Sequence, residues 1–294
     1  MRGMAFFLSN TLNHGLSQRR TSFIYITMRG DRGVRIAGVL ERIQGKYRRT
    51  VAAAFCRRPV KMRNTMPLIS FTFDDFPLSA LEVGGEILRQ HGVAGTYYVS
   101  LGLLDREESV GRICSAAHVK EVLAQGHELG CHTFGHCDAW DTDPQCFQHS
   151  ILENQRTLET IMPGTRFETM SYPISTTPRP QIKKQTGRRF ACCRAGSQRA
   201  NIGVVDLNYV YAFFIERARE QPDVIWDLIE RNQRNNGWLI FSTHDISPQP
   251  TMYGCAPQLF EKIVDRSIAS GANILPVSKA LALVCNGSVP SRSR

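Results

Sequence analysis

The stretch ISFTFDDFP, residues 69–77, decides how the rest of the chain is read. Apolar and polar residues alternate through it, so as a strand it puts Ile69, Phe71 and Phe73 on one face and Ser70 and Thr72 on the other. Asp74 and Asp75 follow at once. Inside a continuing strand they would be split between the two faces. If the pleat ends at Phe73, the backbone turns and brings both carboxylates to one place, and Pro77 opposes a long continuation. Such a pair is either a solvated turn, common where strands end, or the edge of an active site. The surrounding sequence has to decide between them.

From about residue 66 short apolar runs alternate with helical patterns. LISFTF precedes a helix over 79–90 that stops at Gly92, and AGTYYVSL precedes one over 116–125 that stops at Gly126. HELGCH leads to a long helix over 144–162, then to the strand RFETMSYP. RRFACC and YVYAFFIE read as two more strands, followed by a helix over 222–235. WLIFSTHD, a helix over 257–270 and ANILPV close the series. Strands alternating with helices are parallel βα units, and seven or eight of them predict an α/β fold in the form of a distorted (β/α) barrel.

The chain has 294 residues, enough to bury a full core. Its 42% hydrophobic and 21% charged residues are those of an ordinary globular protein, not of a disordered or membrane chain. The net charge of +10 is unevenly placed: residues 1–65 hold 14 Lys and Arg against 2 acids, leaving the remainder close to neutral. This gives three regions: a basic leader over 1–65, partly disordered or helical; the barrel over 66–285; and a tail over 286–294. The leader, with QRR at 18–20, KYRR at 46–49 and CRRPVKMR at 56–63, is either a solvated segment or a weak contact for an anionic surface; no nucleic acid is expected. MRGMAFFLSN begins like a secretory signal, but AFFL is short for its apolar region, and translation starting at Met28 would remove it. No apolar run reaches membrane-spanning length. Nine irregularly spaced cysteines make a poor disulfide framework, so reduced thiols and a cytoplasmic location are expected.

The second informative stretch is GHELGCHTFGHCDAW. His132 and His136 are four apart, which on a helical turn projects both rings from one face toward one metal ion. Cys131 and Cys137 raise a rival, a structural zinc site, weakened because neighbours such as Cys131 and His132 rarely hold the same ion. GWLIFSTHDIS ends an apolar run in His244 and Asp245, and ETMSYPIS ends another at Pro173. All these polar groups stand at or just beyond the ends of predicted strands. In a parallel barrel those ends share the face that carries the chemistry.

In this order, TFDD (72–75), HTFGH (132–136), SYPIS (171–175) and STHD (242–245) resemble the polysaccharide deacetylase family, the NodB-homology domains of carbohydrate esterase family 4. The resemblance covers residues 66–285. It implies a metallohydrolase that removes N-acetyl groups from an amino-sugar glycan. Asp75, His132 and His136 would hold a divalent ion, Zn2+ most commonly, with Co2+ or Ni2+ as substitutes. Asp74 would be the general base and His244 the general acid. Tyr172, Pro173 and Ile174 would line the oxyanion and substrate position. The chemistry explains the residue types, because an amide is a poor electrophile and water a poor nucleophile, and a bound cation helps both.

The sequence also departs from the family pattern. Phe76 stands where many members have glycine, and is expected to narrow the cleft or stack on a sugar ring. Ser171 replaces the arginine that steadies the base, Ile174 an aromatic residue and Ser175 a glycine. Arg194, in CCRAG, either supplies the missing charge as a catalytic residue or is a surface arginine. Asp206 and Trp238 are candidates for the acid and tryptophan that tune the catalytic histidine, Trp238 equally for core packing. Two further readings stay open: the same barrel acting on a cyclic amide or a formyl amide, and an inactive carbohydrate-binding protein.

Overall fold

The computed structural model describes residues 31–287, with side chains from residue 42 onward. The expectations for MRGMAFFLSN, QRR at 18–20, a start at Met28 and the tail after residue 287 fall outside the described residues. The chain divides by contacts into Met1–Ile43 and Gln44–Arg294, and the second unit contains the barrel.

Seven parallel strands close into a ring. In chain order they are β1 (Leu68–Phe73), β2 (Thr96–Val99), β3 (Glu128–Cys131), β4 (Thr169–Ser171), β5 (Cys192–Gly196), β6 (Val210–Phe214) and β7 (Trp238–Thr243). Six register pairs between β7 and β1, from Trp238 with Leu68 to Thr243 with Phe73, close the barrel. A short eighth strand, β8 (Asn273–Ile274), pairs with Leu68 and Ile69, whereas β2 pairs with Thr72 and Phe73 further along the same strand. It thus occupies the edge that β2 leaves free. The expected α/β barrel of seven or eight strands is therefore a ring of seven with a short addition.

The period-two pattern of β1 explains both the core and the site. Phe71 and Phe73 face outward onto Phe260 of the surrounding helices, with ring centroids 5.5 and 5.6 Å apart. The alternate residues face Trp238, whose indole N–H donates to Ser70 Oγ at 3.0 Å. Asp74 continues that second register, and its N–H still donates to the Thr243 carbonyl at 2.9 Å. Asp75 (φ 60°) and Phe76 (φ 54°) then take left-handed conformations, so the strand ends in a sharp turn. One acid thus completes the inner face of the strand, and the next is swung back toward the same cleft.

Helix α1 spans Asp31–Ala54; around the ring lie its residues from Gln44 on, a π-helical turn at Ala80–Gly85 that runs on into α2 (Glu86–Gln90), α3 (Ala116–Ala124), α4 (Pro144–Ile161), α5 (Pro180–Arg189), α6 (Asp223–Arg234), α7 (Pro257–Ala269) and α8 (Val277–Asn286). Helix α5 corrects the sequence reading, which gives Arg188 and Arg189 to a strand. In PQIKKQTGRR only Ile182 is apolar, so no helical stripe shows. The helix is fixed instead by proline in its first turn and by Lys183, wholly buried, whose Nζ donates to Asp206 at 2.7 Å and to the Ala52 carbonyl at 2.6 Å. Lys183 therefore clamps α5 to the end of α1, and Asp206, expected beside His244, is engaged with Lys183 and the Arg58 N–H instead. Trp238 is core. Phe76, expected in the cleft, is fully buried against Tyr97 at 4.8 Å and cannot stack on a substrate.

The segment before the barrel contributes to this body. Residues Pro59–Lys61 form a strand antiparallel to Val204–Asp206, and the Arg58 N–H donates to Asp206 at 2.8 Å. All nine cysteines are unpaired, and among the described residues no helix is long and apolar enough to cross a membrane.

Lys183→Ala leaves Asp206 buried without its cation. We expect a loss of about 3 kcal/mol, read as a lower urea midpoint, with proteolysis beginning near residue 52. An unchanged midpoint would refute the clamp.

Candidate active site

The candidate side chains stand at or near the carboxyl ends of five different strands: Asp74 and Asp75 after β1, His132 after β3, Ser171 at the end of β4, Arg194 within β5 and His244 after β7. They open into a cleft of about 430 Å³ lined by Asp74, Asp75, His132, His136, Ile174 and His244, among others. This is the face on which parallel barrels gather their chemistry.

Asp75 is aimed at the two histidines. Its Oδ1 lies 3.3 Å from His132 Nε2 and 3.0 Å from His136 Nε2, and His244 Nε2 is 4.0 Å from its Oδ2. Among the described residues this trio is the group of potential ligands close enough to share one ion, with ligand atoms within 4.8 Å of one another. The loop, not a helix, brings the rings together: residues 132–137 are irregular, and Thr133 (φ 61°) and His136 (φ 52°) are left-handed. The spacing of four is therefore incidental to the convergence.

The residues fit a metal. His132 Nδ1 lies 2.9 Å from the Ser171 carbonyl; donating a proton there leaves the Nε2 lone pair facing Asp75, the usual support of a ligating imidazole. Asp75 Oδ1 is buried with no hydrogen bond of acceptable geometry, and it converges with the two imidazole nitrogens within 4.8 Å. That set of one carboxylate and two imidazoles suits Zn2+ and leaves coordination open for water or substrate. Cys131 and Cys137 point elsewhere: Cys131 Sγ accepts from Asn154 Nδ2 at 3.4 Å, and Cys137 Sγ lies 3.5 Å from Ser150 Oγ. The rival zinc site of Cys and His ligands is not formed.

Asp74 has a different set of partners. Arg194, wholly buried, places Nη2 on both carboxylate oxygens and on Ser171 Oγ. Ser171 Oγ and Ser242 Oγ also donate to Asp74, at 3.3 and 3.2 Å. Arg194 and Ser171 are register partners on neighbouring strands. The serine leaves room, and the guanidinium reaches Asp74 from the next strand at the same level. The surface reading of Arg194 is thereby excluded. Its Cζ also lies 5.1 Å from the Tyr98 ring and 5.6 Å from the Phe214 ring, so aromatic faces take part of the charge.

These fields set the protonation states. Burial opposes ionisation of Asp74, but Arg194, His132 and His244 outweigh it and hold the carboxyl below its ordinary value. Burial opposes ionisation of Asp75 as well, and His132 and His136 hold it well below. For His136 burial favours the neutral ring, yet neighbouring Asp75 raises its pKa.

His244 Nδ1 lies 3.2 Å from the Tyr253 carbonyl, which directs Nε2 into the cleft. The loop carrying Tyr253 is tied down by Asp245, which accepts from Thr251 N at 2.9 Å and Thr251 Oγ1 at 2.5 Å. Gly254 is required there, since a Cβ would sit 2.2 Å from an Asp245 oxygen. Ile174 (φ 59°) is exposed at the cleft mouth. Pro173 holds the turn before it, its carbonyl accepting from Thr176 N at 3.4 Å. Tyr172 lines the cleft while its buried hydroxyl is engaged elsewhere, with Thr186 Oγ1 at 2.8 Å and the Asn208 carbonyl at 3.1 Å. Sequence reasoning missed Ser242 as an Asp74 partner, although STHD contained it. It also missed Glu216, the acid closing YVYAFFIE, which lines the same cleft.

Residues 61–190 match the family model described as polysaccharide deacetylase. A chitooligosaccharide deacetylase of Rhizobium leguminosarum bv. phaseoli is 32% identical over 102 residues, 33% of this chain, and the match spans 40% of that relative's length. Among solved structures, the chitin deacetylase of the fungal pathogen Colletotrichum lindemuthianum superposes with TM-score 0.54 at 18% identity, over 79% of this chain and 92% of that one. A family 4 acetyl xylan esterase from Clostridium thermocellum, in complex with a cobalt ion, gives 0.50 at 20% identity over 73% and 90%. A family 4 pseudoenzyme from Bacillus anthracis gives 0.52 at 12% identity over 74% and 66%. At such identities the likeness is one of fold, and it includes a pseudoenzyme.

The Asp74 field makes a pH prediction. A carboxyl whose pKa is lowered by folding adds stability that is present above about 3.9, the unfolded aspartate value, and is lost as pH falls through the folded value. In Arg194→Met burial acts unopposed by the guanidinium and raises the folded value toward or above the unfolded one, so the part of the acid loss that Asp74 causes should shrink or reverse relative to the native protein. Urea midpoints measured in chelator from pH 7 to pH 3 check this; superimposable profiles would contradict it.

Proposed function

We propose that the protein is a metal-dependent hydrolase that removes N-acetyl groups from an amino-sugar oligosaccharide or polysaccharide. The observation that carries this reading is the division of the acid pair, with Asp75 aimed at two imidazoles and its neighbour Asp74 held by a buried arginine. A solvated turn has no use for either arrangement.

Asp75, His132 and His136 would hold a divalent ion, with zinc best suited to the donor set. When bound, such an ion polarises an amide carbonyl and lowers the pKa of water toward about 7. Asp74 takes a proton from the attacking water, and Arg194, Ser171 and Ser242 keep its carboxylate ionised and oriented for that transfer. The backbone N–H of Ile174, in its left-handed turn at the cleft mouth, faces the developing oxyanion. His244 delivers a proton from Nε2 to the departing amine while Nδ1–H stays on the Tyr253 carbonyl. Acetate and the free amine of the sugar are the products.

Asp74→Asn keeps its size and its serine partners but accepts no proton. We expect it to retain metal and to lose acetate release from N-acetylglucosamine oligomers by at least about a hundredfold. An Asp74→Asn protein as active as the native one would reject the role of the base. For Arg194→Ala the expected fall is at least about tenfold, or about 1.4 kcal/mol of transition-state stabilisation, and Arg194→Lys should not restore it, because a lysine lacks the flat guanidinium that packs on the Tyr98 and Phe214 rings. Full activity of Arg194→Ala would detach the buried pair from catalysis.

A further inference from the structure

The cleft wall carries a carboxylate that takes no part in the hydrolysis. Strand β6 ends at Phe214 and passes directly into a short 3-10 turn, Ile215–Ala218. Gln198 fixes that junction: its Oε1 accepts the Phe214 N–H at 2.8 Å and its Nε2 donates to the Phe214 carbonyl at 3.2 Å. Ile215 and Ala218 are buried on either side. Glu216 is thereby held on a rigid turn and lines the cleft with Asp74, Asp75 and His244.

Its Oε2 is buried and has no hydrogen-bond partner. Native proteins rarely leave a buried carboxyl oxygen unpaired unless something outside the fold completes it. Burial also pushes the Glu216 carboxyl up to about 7. What it lacks is therefore a neutral donor as readily as a cation. The rest of the cleft mouth narrows the choice. Ile174, Met252 and Tyr253 are exposed there, and apolar surface beside one unpaired acceptor suits a ring with C–H faces and hydroxyl edges. A pyranose has that chemistry.

We propose that Glu216 is a substrate-binding residue, whose Oε2 accepts a hydrogen bond from a hydroxyl of the amino sugar presented to Asp74. The inference rests on the deacetylase reading and extends it to which part of the sugar is recognised. Because the hydroxyl does not change during hydrolysis, the bond is equally strong in the ground and transition states, so its loss raises KM and spares kcat.

Two variants of native length test this on zinc-loaded protein with an N-acetylglucosamine tetramer. Glu216→Met, which has no comparable acceptor, should raise KM about tenfold or more with little change in kcat. Glu216→Gln, which keeps an acceptor oxygen, should recover most of that loss. A purely structural role predicts instead a lower melting temperature with KM unmoved, and that result would overturn the proposal. Calorimetric binding of the tetramer to Asp74→Asn, alone and combined with Glu216→Met, separates the two levels. No binding to Asp74→Asn would remove the deacetylase reading and this inference together. Equal binding to both proteins would remove the inference alone, and weaker binding to the double variant would support it.

Discussion

A guanidinium inside a barrel has to be neutralised there, and the pairing of Arg194 with Asp74 is the interaction on which the site depends. With no exposed surface on Arg194, the charge is held by Asp74, by the Ser171 hydroxyl, and by the faces of Tyr98 and Phe214. Removing either member would strand the other in a low-dielectric interior. The same pairing keeps Asp74 ionised and its two oxygens fixed, as a proton acceptor requires. Stability and chemistry thus draw on one contact, and Arg194 can make it because Ser171 leaves the space open on the adjacent strand.

The site is also held against backbone preference. Asp75, Thr133, His136, Ile174 and Thr176 all have positive φ, and the β-branched residues among them are the least tolerant of that region. Each such residue costs on the order of 1 kcal/mol or more. The closed ring supplies what holds them: six register pairs from β7 to β1 fix the end of β1, and the loops leave from strand ends that cannot move independently. The turns then aim side chains that a regular strand or helix would send apart.

Much of this is legible in the sequence. Alternation in LISFTF, polar residues at strand ends and the order of the four motifs point to the barrel and to its working face. The placement of Arg194 stays open at that level because sequence carries no register: nothing in CCRAG says that it lies beside Ser171. The histidine loop reads as helical because a spacing of four suits a helix, whereas two left-handed residues bring the rings together. Phe76 looks like a cleft residue because it follows the acids, but the left-handed turn sends its ring into the core against Tyr97. Helix α5 is hidden because it is anchored by a buried lysine instead of an apolar stripe. Glu216 escapes notice because a single acid at a strand end is unremarkable until its oxygen is found without a partner.

The most direct test of the account is the metal content of the purified protein after loosely bound ions are removed and zinc is supplied. The account predicts about one zinc per chain, as a carboxylate with two imidazoles would hold, and none in His132→Ala or Asp75→Ala prepared alongside. A native protein that binds no metal, or a His132→Ala protein that keeps it, would contradict the account.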